Sequence, residues 1–177
     1  MENYGLNSDI QAGGKNFHIQ TQYLAPSEKI VSSVFENGRV LTSKSLEVND
    51  SAEAPEVKSA VNRLHRDMSA EIELLFFISE KVLTIKHAIS NNKLGLVFLK
   101  KNLFDEAIKE FKNALEIDPN FSEAYNNLGM AYLKKNMLQQ ARDAFIEAIN
   151  RNSQYADFHN NLGLKPLQND LKEEEMN

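Results

Sequence analysis

Cysteine is absent from the 177 residues. That removes disulfides, thiolate metal sites and cysteine nucleophiles together, and it fits a reducing compartment. Long apolar runs are absent as well. The longest uninterrupted one spans Leu74 to Ile78, far short of the roughly 20 residues that a membrane-crossing helix needs. Met1 to Ile10 is polar, with no apolar stretch behind a basic start, so no secretory signal is expected and the expected location is cytoplasmic. A basic surplus is also missing. The 20 Lys and Arg are outnumbered by 25 Asp and Glu, for a formal charge of −5. An acidic surface repels a phosphate backbone, so nucleic acid is not an expected partner.

The chemistry-bearing motifs are missing too. Gly13-Gly14 has neither a strand read before it nor Lys-Ser or Lys-Thr after it, and no Gly-x-Ser-x-Gly elbow occurs. His18, His65, His87 and His159 are scattered, with no second ligand at a recognisable metal spacing. Asp105-Glu106 falls in a first helical turn, where the helix dipole favours carboxylates. Glu173 to Glu175 reads as a solvated tail. No set of acid, base and nucleophile converges, so no catalytic residue, metal or cofactor is expected, and the chain is not read as an enzyme.

What is present is 42% apolar residues, enough for the core of one ordinary domain or two small ones. Residues 1–15 read as a flexible arm broken at Gly13-Gly14. From Asn16 the texture becomes β-branched and aromatic. Phe17, Ile19, Thr21 and Tyr23 alternate with polar residues, the period of a half-buried strand. A turn containing Pro26 follows, then two runs, 29–36 and 39–48, flank Asn37-Gly38, a strong signal for a two-residue hairpin. Pairing across that turn sets Phe35 against Val40 and Val34 against Leu41. The expectation is a three-stranded meander, which needs a helix to cover it. After an acidic linker, Pro55 can open a helix. Val57, Ala60, Val61, Leu64, Met68, Ile72, Leu75 and Phe76 then form one apolar stripe over about 56–78. A second helix is expected from about Ser79.

The C-terminal half repeats itself with a period of 34. Leu94 returns as Leu128 and Leu162, and Gly95 as Gly129 and Gly163. Phe98 returns as Tyr132, Ala107 as Ala141, Phe111 as Phe145 and Ala114 as Ala148. Small residues at Gly95 and Gly129 let a second helix approach the first, and Ala107 and Ala141 are their small counterparts. Asn102 and Asn136 stand at the turns, where Asn tolerates the left-handed conformation that ends a helix. Asp118-Pro119 stops one helical pair and starts the next.

This pattern resembles the tetratricopeptide repeat family, with a first repeat at 88–121, a second at 122–155 and the start of a third from 156. Tyr125 matches the family's aromatic position, where the first repeat has Asn91. Pro166 interrupts the third. Together with the segments read above, the expectation is an α+β chain with four parts: the arm at 1–15, a small antiparallel β-meander packed on a helix at 16–80, the α-α superhelix that the resemblance implies at 81–171, and an acidic tail at 172–177. The superhelix would hold about two repeats plus a partial third and a C-terminal cap. No family is identified for the N-terminal module.

The resemblance also implies the function of a protein–protein adaptor or scaffold, and the chain is expected to be bacterial. A peptide or partner protein would lie in the concave groove lined by first helices. Groove positions are Ile89, Asn92, Lys93, Leu96 and Lys100, then Glu123, Asn126, Asn127, Met130 and Lys134, then Asp157, Asn160, Asn161 and Leu164. The family's carboxylate clamp fits only at Asn127, so it is not expected. Asn127 and Asn161 instead match an asparagine ladder gripping an extended backbone, although solvated amides would leave the same pattern. Lys100, Lys101, Lys134 and Lys135 either complement helix dipoles or make a basic edge for acidic peptides. Leu162, Leu164 and Leu167 are either covered by a capping helix from Pro166 or form an edge through which a structural subunit self-assembles into a homo-oligomer. A third reading makes the meander a ligand sensor.

Overall fold

The computed structural model describes residues 4–49 and 52–153. The chain divides into two compact units, Met1–Lys81 and Val82–Asn177.

The first unit is an antiparallel sheet of four strands in sequence order: β1 Gly5–Ala12, β2 Lys15–Leu24, β3 Lys29–Glu36 and β4 Arg39–Glu47. The helix α1, Ala54–Ile85, follows. Alternation decides which side chains go inward. Phe17, Ile19, Thr21 and Tyr23 of β2, and Ile30, Ser32 and Val34 of β3, are all buried. They meet the stripe of α1: Tyr23 and Ile30 pack with Val57 and Val61, and the Phe17 and Phe76 ring centroids are 5.5 Å apart. The two inward hydroxyls, Thr21 and Ser32, bond each other at 2.6 Å, and Thr21 Oγ1 lies 2.9 Å from His65 Nδ1 on α1. The other ring nitrogen of His65 lies 2.8 Å from Ser8 Oγ of β1. A polar thread therefore crosses this core with partners at each step.

Four expectations for this unit need correction. The arm at 1–15 is largely β1, paired with β2 from Gly5↔Gln22 to Ala12↔Lys15, so the meander has four strands. Gly13 and Gly14 are its turn, at φ 57° and 76°, rather than a break. A Cβ on Gly13 would also stand 2.2 Å from the Phe76 ring, so the position needs glycine twice over. The helix at 56–78 and the one starting near Ser79 are a single helix, because nothing between Phe76 and Ile85 breaks it. Finally, Phe35 does pair with Val40, but Val34 pairs with Thr42. A bulge inserts Leu41 and turns its side chain inward.

The second unit contains two helical hairpins. The first is α2 Ala88–Lys100 with α3 Phe104–Ile117, and the second is α4 Ser122–Lys134 with α5 Leu138–Arg151. The close approach inside each hairpin depends on glycine. A Cβ on Gly95 would stand 2.5 Å from Phe111 of α3, and one on Gly129 would stand 2.4 Å from Phe145 of α5. Ala107, Ala114, Ala141 and Ala148 are fully buried on the second helices. Both turns end their first helix alike. Asn102 and Asn136 adopt φ 59° and 58°, and the next residue donates back to the final turn, Leu103 N to Phe98 O and Met137 N to Tyr132 O, both at 3.0 Å. Between hairpins, Asp118 Oδ1 accepts from Asn120 N at 3.0 Å, and Ala88, Ala114 and Ala124 form the seam. The partial third repeat, the cap at Pro166 and the acidic tail lie outside the described residues.

Candidate functional site: the shared face of the first helices

Helices α2 and α4 carry the candidate groove at one spacing. Ile89, Lys93, Leu96 and Lys100 recur at four, three and four residues on α2, and Glu123, Asn127, Met130 and Lys134 do the same on α4. At about 100° per residue each set forms one stripe. Ile89, Lys93, Lys100, Glu123 and Lys134 are exposed, and Leu96 and Met130 are half-buried. Lys100 and Lys134 fall in the last turns of their helices, where a cation suits the dipole. Lys135 pairs with Asp105 of the preceding hairpin.

The amides behave differently from the lysines. Asn92 is 1% exposed, and Asn126 and Asn127 are 9% exposed. Asn92 Nδ2 donates to Glu123 Oε1 at 3.0 Å, and Asn92 Oδ1 accepts from Asn127 Nδ2 at 3.0 Å. One buried amide on α2 thus holds two side chains of α4 and fixes the spacing of the two first helices. Asn92, Asn126 and Asn127 are therefore buried beside the exposed lysines of the stripe. Among the described residues, the buried Oδ1 atoms of Asn91 and Asn126 accept no hydrogen bond. Asn160, Asn161, Asp157 and Leu164, with the edge Leu162, Leu164 and Leu167, lie outside the described residues.

The hydrogen-bonded chain from Asn92 could not be foreseen from the 34-residue period, because it joins positions 31 and 35 apart. On the outer side of the second hairpin, the Arg151 guanidinium lies 4.2 Å from the Tyr125 ring centroid, and Arg151 Nε donates to Pro119 O at 2.7 Å. No group of three or more potential metal ligands occurs among the described residues, and none of their helices is long and apolar enough to cross a membrane.

Paired antiparallel helices, closed by a glycine against an aromatic ring and stacked at a fixed period, define a helical-hairpin repeat scaffold. A family profile described as TPR repeat matches residues 95–136, and one described as Tetratricopeptide repeat matches 122–155. Residues 95–155 thus carry tetratricopeptide repeats, and such repeats are protein-interaction modules. No curated protein sequence matches the chain. Two solved structures are similar to part of it. "Crystal structure of MamA protein" has 25% identity and a TM-score of 0.39, with 58% of this chain and 55% of that chain covered. "Crystal structure of MamA" has 25% identity and a TM-score of 0.38, with 57% and 58% covered. The match thus spans a little over half the length of those chains.

Proposed function

We propose that this protein is an adaptor that holds a segment of a partner polypeptide along the stripes of α2 and α4. The observation that carries this reading is the stripe itself. Ile89, Leu96 and Met130 offer apolar surface, flanked by Lys93, Lys100 and Lys134, on two helices that the Asn92 amide locks at fixed spacing. A prearranged surface loses little freedom when a partner docks. In a chain of net charge −5, a strip whose exposed lysines outnumber its one carboxylate, Glu123, favours a segment with apolar side chains next to acidic ones. Glu123 itself is engaged by Asn92, which further limits its repulsion of such a segment. Binding here needs shape and charge, with no covalent step.

Photo-crosslinking side chains introduced one at a time test the reading. Leu96 and Met130 are the stripe positions, and Lys109, exposed on α3, is the control. The same partner polypeptide should be captured from Leu96 and Met130 and not from Lys109. Capture from Lys109 alone would overturn the proposal. The alternative, self-assembly through Leu162, Leu164 and Leu167, concerns a segment outside the described residues. Light scattering across micromolar concentrations tests it, and a strict monomer removes it.

A further inference from the structure

The two hairpins share one backbone plan, but their outer sides are finished differently. In the second, Tyr125 of α4 lies under the guanidinium of Arg151 from α5, and Arg151 is held in turn by Pro119 O and by Glu147. One period earlier the same positions are Asn91 and Ile117. The ring and its cation are both missing, and a cavity of about 420 Å³ stands there, lined by Leu83, Lys86, Asn91, Asn113, Glu116 and Ile117. Advanced by one period, those positions become Ile117, Asn120, Tyr125, Glu147, Asn150 and Arg151. They include the aromatic–cation pair and the glutamate that holds its cation.

The cavity is more than a gap. Asn91 is 1% exposed, and its Oδ1 is buried without a hydrogen bond among the described residues. A buried carbonyl without a partner is costly, and a donor reaching it from the cavity would recover that cost. Leu83 and Ile117 are 40% and 39% exposed, so apolar surface flanks that acceptor. Lys86, at φ 50°, and Glu116 supply opposite charges. The volume lies within the range of roughly 300–1,000 Å³ usual for ligand sites. On α2, Asn91 lies about 140–180° around the helix from the residues of the Ile89–Lys100 stripe, so this site is separate from the proposed groove.

We propose that the cavity is a binding site for an aromatic side chain bearing a hydrogen-bond donor, a tyrosine or tryptophan of a partner polypeptide. Its ring packs between Leu83 and Ile117, and its O–H or N–H donates to Asn91 Oδ1. The bound ring takes the place that Tyr125 fills from within the second hairpin.

Nuclear magnetic resonance titration of the full chain tests this with four probes: p-cresol, 3-methylindole, toluene and N-acetyltyrosinamide. The first two should shift the signals of Leu83, Asn91, Asn113 and Ile117 saturably at millimolar concentration. Toluene, which has no donor, should bind about fivefold more weakly, and N-acetyltyrosinamide should bind at least as well as p-cresol. In Asn91→Leu the preference for p-cresol over toluene should vanish. Asn91→Tyr with Ile117→Arg installs the pair of the second hairpin and should abolish binding by all four probes. Equal binding of toluene and p-cresol to the wild type, absence of shifts at those residues, or unchanged binding by the double variant would overturn the site. Binding by p-cresol with exclusion of N-acetyltyrosinamide would overturn its assignment to a polypeptide. Neither result bears on crosslinking at Leu96 and Met130.

Discussion

The two helical hairpins agree at the glycine–aromatic contact inside each pair and at the turn that closes it, and they differ elsewhere. Gly95 and Gly129 face Phe111 and Phe145 at nearly the same distance, and both turns close on a left-handed asparagine. Away from these contacts, Tyr125 and Arg151 seal the second hairpin, whereas Asn91 and Ile117 leave the first open. Among the described residues the wall amides differ too, since Asn92 holds Glu123 and Asn127 while Asn126 Oδ1 accepts no hydrogen bond. The glycine–aromatic contact and the asparagine turn constrain the repeat, and the remaining positions are free to specialise.

The shared part of this comparison should fail first under mutation. Gly95→Val or Gly129→Val drives a branched side chain into the facing ring, and each should destabilise the repeat unit by about 2–3 kcal/mol. Urea unfolding followed by circular dichroism measures this, and similar losses at the two sites support one packing rule. Either glycine tolerating valine would break it. Removing Asn92 leaves the buried Asn127 amide without its acceptor and releases Glu123, so Asn92→Ala should cost about 1–3 kcal/mol. Asn126→Ala should cost less, because its carbonyl oxygen makes no bond to lose. Equal costs would mean that the amide chain contributes nothing particular.

A smaller effect is expected on the outer side. Arg151→Ala loses the contact with Tyr125, worth about 0.5–1 kcal/mol, whereas Ile117→Ala removes a half-exposed side chain from an open cavity. Differential unfolding of the two variants measures the contrast. The smallest effect belongs to the sheet unit. Burial first, and then the charge of His18, lower the pKa of His65. The unfolded chain therefore binds a proton there more readily than the fold does. Stability should be fully present above about pH 6.5 and fall as the pH drops toward the lowered value. His65→Gln should flatten that slope between about pH 7.5 and 5.5, while repeat variants leave it unchanged.

Much of the repeat unit was legible because its constraints are local and recur. Gly95, Ala107, Phe111 and Asn102 each have a counterpart 34 residues on, and each residue type states its own steric reason. The sheet was legible from β2 to β4, where β-branched and aromatic residues alternate around Asn37-Gly38. β1 escaped because Leu6, Ile10 and Ala12 alternate only weakly through polar neighbours, as suits an edge strand with one face half covered. Gly13-Gly14 turns the chain at positive φ on both residues, as Asn37-Gly38 does, but without strong flanking strands that signal reads as a break. The bulge at Leu41 and the length of α1 depend on tertiary packing that no short window contains. In the candidate groove the stripe followed from helical spacing. The burial of Asn92 and its bonds to α4 did not, because they depend on how closely neighbouring first helices stand. The cavity at Asn91 was visible only as a missing aromatic.

The adaptor reading rests on which helices meet the partner, and methyl resonances report that directly. Ile89, Leu96 and Met130 lie on the stripes of the first helices, while Leu138 and Ile146, 47% and 41% exposed, lie on α5. On addition of the polypeptide captured by crosslinking, the signals of Ile89, Leu96 and Met130 should move together and saturate, with Leu138 and Ile146 unmoved. Movement of Leu138 and Ile146 with the three stripe methyls still would contradict the account.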